Sequence, residues 1–221
     1  MSDNGDLKSK IRKLSVEASN VGSLSFEDRY ITSLEEAKKI VESIRMGGCR
    51  IVLTSGTFDL VHIGHARYVA EAKNHGDFLV VGVDDDQKAR GRKGENRPVV
   101  PELERLEMLT HLRWVDLVVL KRHDEEKWGL IKLLAPDVLI VVQGTYEQEE
   151  VEQLEQFVGA VVVLPRQAET STSANVRKMM LGGADDMVRR ILQILPVKLA
   201  ELLDEHIPTI VRSTYDSMKK D

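Results

Sequence analysis

The chain has 221 residues, 42% of them hydrophobic, which is enough for one α/β domain with appended elements. Its formal net charge of −5 argues against bulk binding to nucleic acid or to an anionic membrane. It contains no apolar run of about 18 residues and no signal-peptide pattern, and its one cysteine, Cys49, permits no internal disulfide. We therefore expect a cytoplasmic protein with neither nucleic acid nor a membrane as partner.

Short apolar runs alternate with helical patterns after a polar N-terminal segment. Residues 1–29 are predicted to form an arm with a short amphipathic helix near 8–16. Ser33 and Glu36 form a capping box, which predicts a helix that ends at Gly47 and Gly48. The remaining elements are predicted as strands 51–54, 78–83, 117–120, 138–142 and 161–164, helices 65–75, 101–111, 126–134 and 146–157, and a loop over 91–98.

This order of elements predicts an α/β fold with a doubly wound parallel sheet, because the short apolar strands suit a sheet covered on both faces. Ligands are then expected at the carboxyl ends of the strands. The domain should span residues 30–182. Residues 183–221 are predicted to be a helical C-terminal extension, in which apolar stripes are interrupted at Pro196 and Pro208.

Residues 56–65, Gly-Thr-Phe-Asp-Leu-Val-His-Ile-Gly-His, lie where a buried strand is expected to lead into a helix. Unpaired N–H groups and the positive end of the helix dipole make such a point an anion site. His62 and His65 can donate hydrogen bonds to phosphate there, and Gly64 leaves room for close approach. The pattern predicts a nucleotide phosphate site. The local basic cluster at residues 88–93 calls for a local explanation as well, since the chain as a whole is acidic.

The pattern G-T-F-D-x-x-H-x-G-H resembles the signature of the cytidylyltransferase-like nucleotidyltransferases. Residues 80–84 and 93–99 resemble the adenylyltransferase domain of bacterial ADP-heptose synthases. Residues 165–173 resemble the last motif of the same superfamily, which includes glycerol-3-phosphate cytidylyltransferase. The similarity covers about residues 30–180. It implies a Rossmann-like fold and an enzyme that joins an NTP to a phosphorylated small molecule and releases pyrophosphate.

The resemblance also implies roles for individual residues. His62, His65 and Lys93 are expected to be catalytic. The residues expected to bind nucleotide are Gly56, Thr57, Phe58, Gly64, Asp86, Arg105, Thr170, Ser171, Thr172 and Ser173. Asp59, Arg97 and Arg166 are expected to bind the acceptor, although Asp59 equally suits a role in holding its loop. No resident metal is expected, since Mg²⁺ should travel with the NTP.

The identity of the substrates stays open at this point. A sugar phosphate such as heptose 1-phosphate with ATP is the leading reading, and a CTP-dependent enzyme acting on glycerol 3-phosphate or another phospho-alcohol is the alternative. Val142 and Thr145 replace the lysine and aspartate usual in the heptose enzymes, so a non-catalytic nucleotide-binding regulator is a third possibility. A homodimer is expected from the resemblance and the apolar C-terminal stripes.

Overall fold

The computed structural model describes residues 3–16 and 24–168, together with scattered helical positions between 187 and 209. The strands are β1 (Tyr30–Ile31), β2 (Ile51–Gly56), β3 (Phe78–Asp84), β4 (Leu117–Lys121), β5 (Val138–Val142) and β6 (Val161–Leu164). The helices are α1 (Asp3–Val16), α2 (Phe26–Arg29), α3 (Leu34–Met46), α4 (Ile63–Lys73), α5 (Asp86–Lys93), α6 (Glu102–Thr110), α7 (Gly129–Leu134) and α8 (Gln148–Leu154).

The six strands form one sheet in the order β1-β4-β3-β2-β5-β6, and every pair is parallel. The chain first builds the sheet from β2 outward through β3 and β4, then returns to the other side of β2 with β5. The switch in direction therefore lies between β2 and β5, and the crevice above their carboxyl ends is where open α/β sheets bind ligands. The predicted doubly wound parallel sheet is confirmed.

Each face of the sheet has its own hydrophobic core. One core includes Ile40 and Ile44 of α3 and Leu130 of α7. The other includes Val69 of α4 and Leu106 of α6. All seven residues of β3 are buried, as expected for a central strand covered on both faces.

A hydrogen-bonded cluster fixes α4 to the centre of the sheet. The hydroxyls of Thr54 on β2 and Tyr68 on α4 lie 2.6 Å apart, and both lie within hydrogen-bond distance of the carbonyl of Ile140 on β5, so one hydroxyl donates to the other and the second donates to the carbonyl. Burial raises the pKa of Tyr68 to about 12, so its hydroxyl stays protonated as a donor. The start of α4 is thereby held at a set position above the switch point.

The N-terminal segment differs from the predicted arm, because it packs against the domain. Helix α1 packs against α3, and Leu14 is 1% exposed within the first core. Strand β1 was not predicted, because two residues carry no periodicity and are defined by their pairing with β4.

The predicted loop at 91–98 is also wrong over its first three residues, where α5 continues to Lys93. Asp85 caps the start of this helix by accepting from the N–H of Lys88, and Gly94 ends it with a φ of +97°.

By its contacts the chain divides into Met1–Thr172 and Ser173–Asp221. The first unit carries the sheet. The predicted helical extension 183–221 lies largely outside the described residues. Among the helices that are described, none has the length and apolar character needed to cross a membrane.

Candidate active site

The loop between β2 and α4 contains the histidine motif. Strand β2 ends at Gly56 and α4 begins at Ile63, so the loop approaches the helix start from the carboxyl edge of the sheet. Phe58 and Leu60 adopt left-handed conformations with φ of 51° and 48°. Such conformations are unfavourable for residues with side chains and concentrate at functional sites, where packing enforces them.

The two histidines cap the helix with the same ring nitrogen. Nδ1 of His62 accepts from the N–H of Gly64 at 3.1 Å, and Nδ1 of His65 accepts from the N–H of His62 at 3.3 Å. A nitrogen that accepts carries no proton, so each neutral ring holds its proton on Nε2. Both imidazoles therefore offer an Nε2–H donor at a helix N-terminus, where an anion is favoured.

His65 is kept neutral by its surroundings. Burial, reinforced by the nearby His62 and Lys93, lowers the pKa of His65 to about 4. Its ring lies 4.1 Å from that of His62 and 5.4 Å from that of Phe58, measured between centroids. At neutral pH it is a hydrogen-bond donor without charge, rather than an acid.

Gly64 is required by close packing. A Cβ added here would lie 2.8 Å from Cε1 of His62 and 3.1 Å from Cβ of Ala168. Ala168 belongs to the segment after β6, so the chain approaches the motif just before the predicted Thr170–Ser173 site. Those four residues lie outside the described part of the chain. Arg166 is described and exposed.

Asp59 and Arg97 tie the motif loop to the segment after α5. Asp59 is 1% exposed, and it accepts from Nη1 of Arg97 at 2.7 Å and from the N–H groups of Val99 and Val100. Burial alone would raise the pKa of Asp59, but the two amides and Arg97 outweigh it and lower the pKa. The structure thus shows Asp59 holding its loop, and its expected contact with the acceptor stays a prediction.

A buried carboxylate joins the motif loop to a basic cluster. Asp84, fully buried at the end of β3, accepts from Thr57 Oγ1 at 3.2 Å, from Arg92 Nη1 at 2.9 Å and from Lys121 Nζ at 3.1 Å. Burial would raise the pKa of Asp84, but Lys121 and Arg92 keep it lowered and the group ionised. Sequence reasoning did not select Lys121, whose place at the end of β4 was the available signal.

Comparison with known proteins identifies the family. Residues 53–181 match the family described as Cytidylyltransferase-like. The chain belongs to the cytidylyltransferase-like family. The bifunctional protein HldE of Nitratiruptor is 40% identical over 124 residues, which cover 56% of this chain and 26% of the relative. HldE of Geobacter metallireducens is 36% identical over 167 residues, which cover 72% of this chain and 34% of the relative.

The chain thus spans about a quarter to a third of the length of these curated relatives. Among solved structures, a lipopolysaccharide core biosynthesis protein from Thermoplasma volcanium is 26% identical with a TM-score of 0.48. That likeness covers 56% of this chain and all of the other.

The structure brings several of the predicted site residues together at the motif, and Lys93 approaches them from another helix. His62, His65, Gly64, Thr57 and Phe58 all lie at the turn from β2 into α4. Lys93 ends α5 and lies close enough to His65 to affect its pKa. Its own pKa is lowered by lost hydration and by Arg92, although the side chain keeps contact with solvent.

Arg105 was predicted to contact the nucleotide, and in the structure its side chain also makes several hydrogen bonds within the protein. It is 1% exposed and donates to the carbonyls of Thr57, Val100 and Asp84. It also pairs with Asp86 at 2.8 Å. The guanidinium therefore holds the motif loop in place, since its N–H groups can donate to several acceptors at once.

The carboxylates near the motif are already paired with cations. Asp84 meets Arg92 and Lys121, and Asp86 meets Arg105. Within the described part of the chain, no group of three or more His, Cys, Asp and Glu side chains is arranged to hold a metal ion.

Proposed function

We propose that this chain transfers a nucleotidyl group from an NTP to a phosphorylated sugar and releases pyrophosphate. The observation that carries the proposal is the pair of histidines whose Nδ1 atoms are occupied by the helix start, which leaves two Nε2–H donors at an anion site. Membership of the cytidylyltransferase-like family and the similarity to HldE support it.

In the proposed reaction, an oxygen of the acceptor phosphate attacks the α-phosphorus of the NTP in line. The bond from that phosphorus to the bridging oxygen breaks, and its electron pair leaves on pyrophosphate. No protein nucleophile is needed, because the acceptor phosphate is largely ionised at neutral pH, its second pKa being about 6. Catalysis then consists of positioning and of stabilising negative charge.

The residues divide this work. His62 and His65 donate from Nε2 to phosphate oxygens, and neutral His65 does so without giving up its proton. Lys93 supplies positive charge beside them. Asp59 and Arg97 fix the loop that positions these groups. Mg²⁺ enters as part of the NTP substrate.

ATP with a sugar 1-phosphate is the pair we favour, and CTP with glycerol 3-phosphate or another phospho-alcohol is the alternative. Contacts to phosphate do not select a base, so both use the same motif. A homodimer in the cytoplasm completes the proposal, and light scattering on the purified chain tests the dimer.

Pyrophosphate release tests the reaction directly. All four NTPs are crossed, in the presence of Mg²⁺, with heptose, hexose, glycerol and amino-alcohol phosphates. Release with one pair, lost in His65→Ala but kept in His111→Ala, is the expected result, since His111 is an exposed histidine on the surface. NTP binding without release from any pair would favour the regulatory alternative, and absence of NTP binding would refute the proposal.

A further inference from the structure

Asp84 bonds to both segments that carry the proposed catalytic groups. Its side chain is fully buried at the end of β3. Oδ2 accepts from Thr57 Oγ1 at 3.2 Å and from Arg92 Nη1 at 2.9 Å. Thr57 belongs to the motif loop, and Arg92 is the residue before Lys93 in α5. A single carboxylate oxygen therefore joins the loop of the histidines to the helix that carries Lys93.

The remaining acceptors of Asp84 hold the carboxylate itself in place. Oδ1 accepts from Lys121 Nζ at 3.1 Å, and the two residues lie side by side in the register of β3 and β4. The main-chain carbonyl of Asp84 accepts from Arg105, which also donates to the carbonyl of Thr57. A fully satisfied buried network of this kind is rigid. Asp84 is thus a fixed point to which the loop and the helix are both attached.

Lys93 lies near this carboxylate without being bonded to it. Burial and Arg92 lower the pKa of Lys93, whereas nearby carboxylates, Asp84 among them, act in the opposite direction. Within the described part of the chain, Lys93 is not among the donors to the Asp84 side chain. Its charge contributes, after burial and His62, to the lowered pKa of His65. Two neighbouring cations of the basic cluster at 88–93 therefore differ, since Arg92 is paired with Asp84 and Lys93 is not.

We propose that Asp84 is a positioning residue for nucleotidyl transfer. Because it binds Thr57 and Arg92 through one oxygen, it sets the distance from the motif loop to the end of α5 and holds Lys93 beside the histidines. With Arg92 on that oxygen, Lys93 is not drawn into an ion pair with Asp84 and keeps its charge for phosphate. The Asp84 side chain is fully buried, so it acts through these neighbours and not by touching a substrate. This inference rests on the proposed function.

Arg92 offers the mildest way to break the connection, because its side chain is 52% exposed and its loss leaves Asp84 still paired with Lys121. Arg92→Met should lower kcat for pyrophosphate release by about tenfold or more, at a urea midpoint close to that of the parent. Arg92→Lys keeps a charged donor for Asp84 and should retain more of kcat. Arg113→Met, which removes an exposed arginine after α6, is the matched control and should behave as the parent does.

A double-mutant cycle shows whether Arg92 acts through Lys93. Lys93→Met alone should lower kcat by about 10²-fold. Adding Arg92→Met to it should lower kcat by less than about twofold further, since the group that Arg92 helps to position is gone. Equal fold-losses from Arg92→Met in the two backgrounds would overturn the proposal, because Arg92 would then act independently of Lys93.

Asp84 itself is tested together with its buried partner. Asp84→Asn alone leaves the charge of Lys121 buried and unpaired, so it is combined with Lys121→Met. The double variant should fold, as judged by circular dichroism, and should lower kcat by about tenfold or more. In the Lys93→Met background the same two changes should have less than about a twofold effect. A folded double variant with the kcat of the parent would overturn the proposal.

Hydrogen exchange separates this inference from the proposed function, because it needs no turnover. The N–H of Gly94 donates to the carbonyl of Arg90 at 2.9 Å and reports on the end of α5. Its exchange should be about tenfold faster in Arg92→Met than in the parent, and unchanged in Arg113→Met.

The combined outcomes are distinct. Pyrophosphate release with unchanged kcat and unchanged exchange in Arg92→Met would overturn this inference and leave the reaction intact. No release from any NTP, with faster exchange in Arg92→Met, would overturn the reaction and keep the connection from Asp84 to α5. No release with unchanged exchange would overturn both.

Discussion

The main-chain N–H of His62 donates to Nδ1 of His65 across 3.3 Å, and this one bond determines where His65 keeps its proton. Because Nδ1 is the acceptor of a helix cap, the Nε2–H is available to a ligand. The same capping that starts α4 thus prepares the proposed catalytic donor before any substrate binds. Local structure and chemistry are set by the same contact.

Two substitutions of His65 separate the cap from the donor. His65→Asn can place an oxygen where Nδ1 accepts, so it should keep the helix start but lose the donor and lower kcat about 10²–10³-fold. His65→Gln can place an amide N–H near the Nε2 position and should retain more activity. Steady-state pyrophosphate release, with circular dichroism as the folding check, measures both. Equal loss of kcat in two folded variants would contradict the assignment of the proton to Nε2.

The lowered pKa of His65 makes stability depend on pH in a defined window. The pKa is about 4 in the folded chain and 6.5 for an unperturbed histidine, so the unfolded chain binds more protons between these values. The free energy of unfolding should therefore fall as the pH drops from 6.5 towards 4, by up to about 3 kcal/mol from this residue. Well above pH 6.5 both states are neutral and the contribution is constant.

Urea denaturation at several pH values measures this dependence. His65→Gln, which cannot titrate, should show a smaller drop than the parent between pH 6.5 and 4. If parent and variant lose the same free energy of unfolding across this window, folding does not lower the pKa of His65.

The parallel sheet and the histidine motif were predictable because both are local in sequence. Short apolar strands such as β3 and β5 stand out from their polar flanks, and the motif lies in one run of ten residues. The cap of α5 was also readable, since Asp85 before the helix and Gly94 after it are ordinary end signals. Its omission was an error of interpretation.

The contacts around Asp84 could not be predicted in the same way. Lys121 is 37 residues away and meets Asp84 because the pairing of β3 with β4 places the two residues side by side. Arg92 is 8 residues away on α5, and it meets Asp84 through the reach of its long side chain. Helical spacing likewise does not tell whether Arg105 points to solvent or to the loop beneath it. Such pairs depend on sheet order and on side-chain reach, which periodicity does not contain.

Removing Asp59 should destabilise the fold as well as reduce activity. Asp59→Ala leaves Arg97, whose side chain is 11% exposed, and the amides of Val99 and Val100 without their acceptor. Loss of one partner of a buried pair costs about 3–5 kcal/mol. The expected result is a lower urea midpoint at unchanged slope. Asp124→Ala is the control, because Asp124 is 65% exposed at 3.6 Å from Arg122 and should change stability by less than about 1 kcal/mol.

Two glycines test close packing at the motif against open space. Gly64→Ala would bring a Cβ to 2.8 Å from the His62 ring and 3.1 Å from Ala168, so the ring or the segment after β6 must move. We expect a loss of about 1–3 kcal/mol of stability and a larger relative loss of kcat, since His62 is displaced from its capping position.

Gly91→Ala is the matched control within α5, where an added Cβ meets nothing within 4 Å. Alanine favours the helix there by about 0.5–1 kcal/mol, so this variant should be as stable as the parent or more so. Unchanged kcat in Gly64→Ala would show that the position of the His62 ring does not limit the reaction.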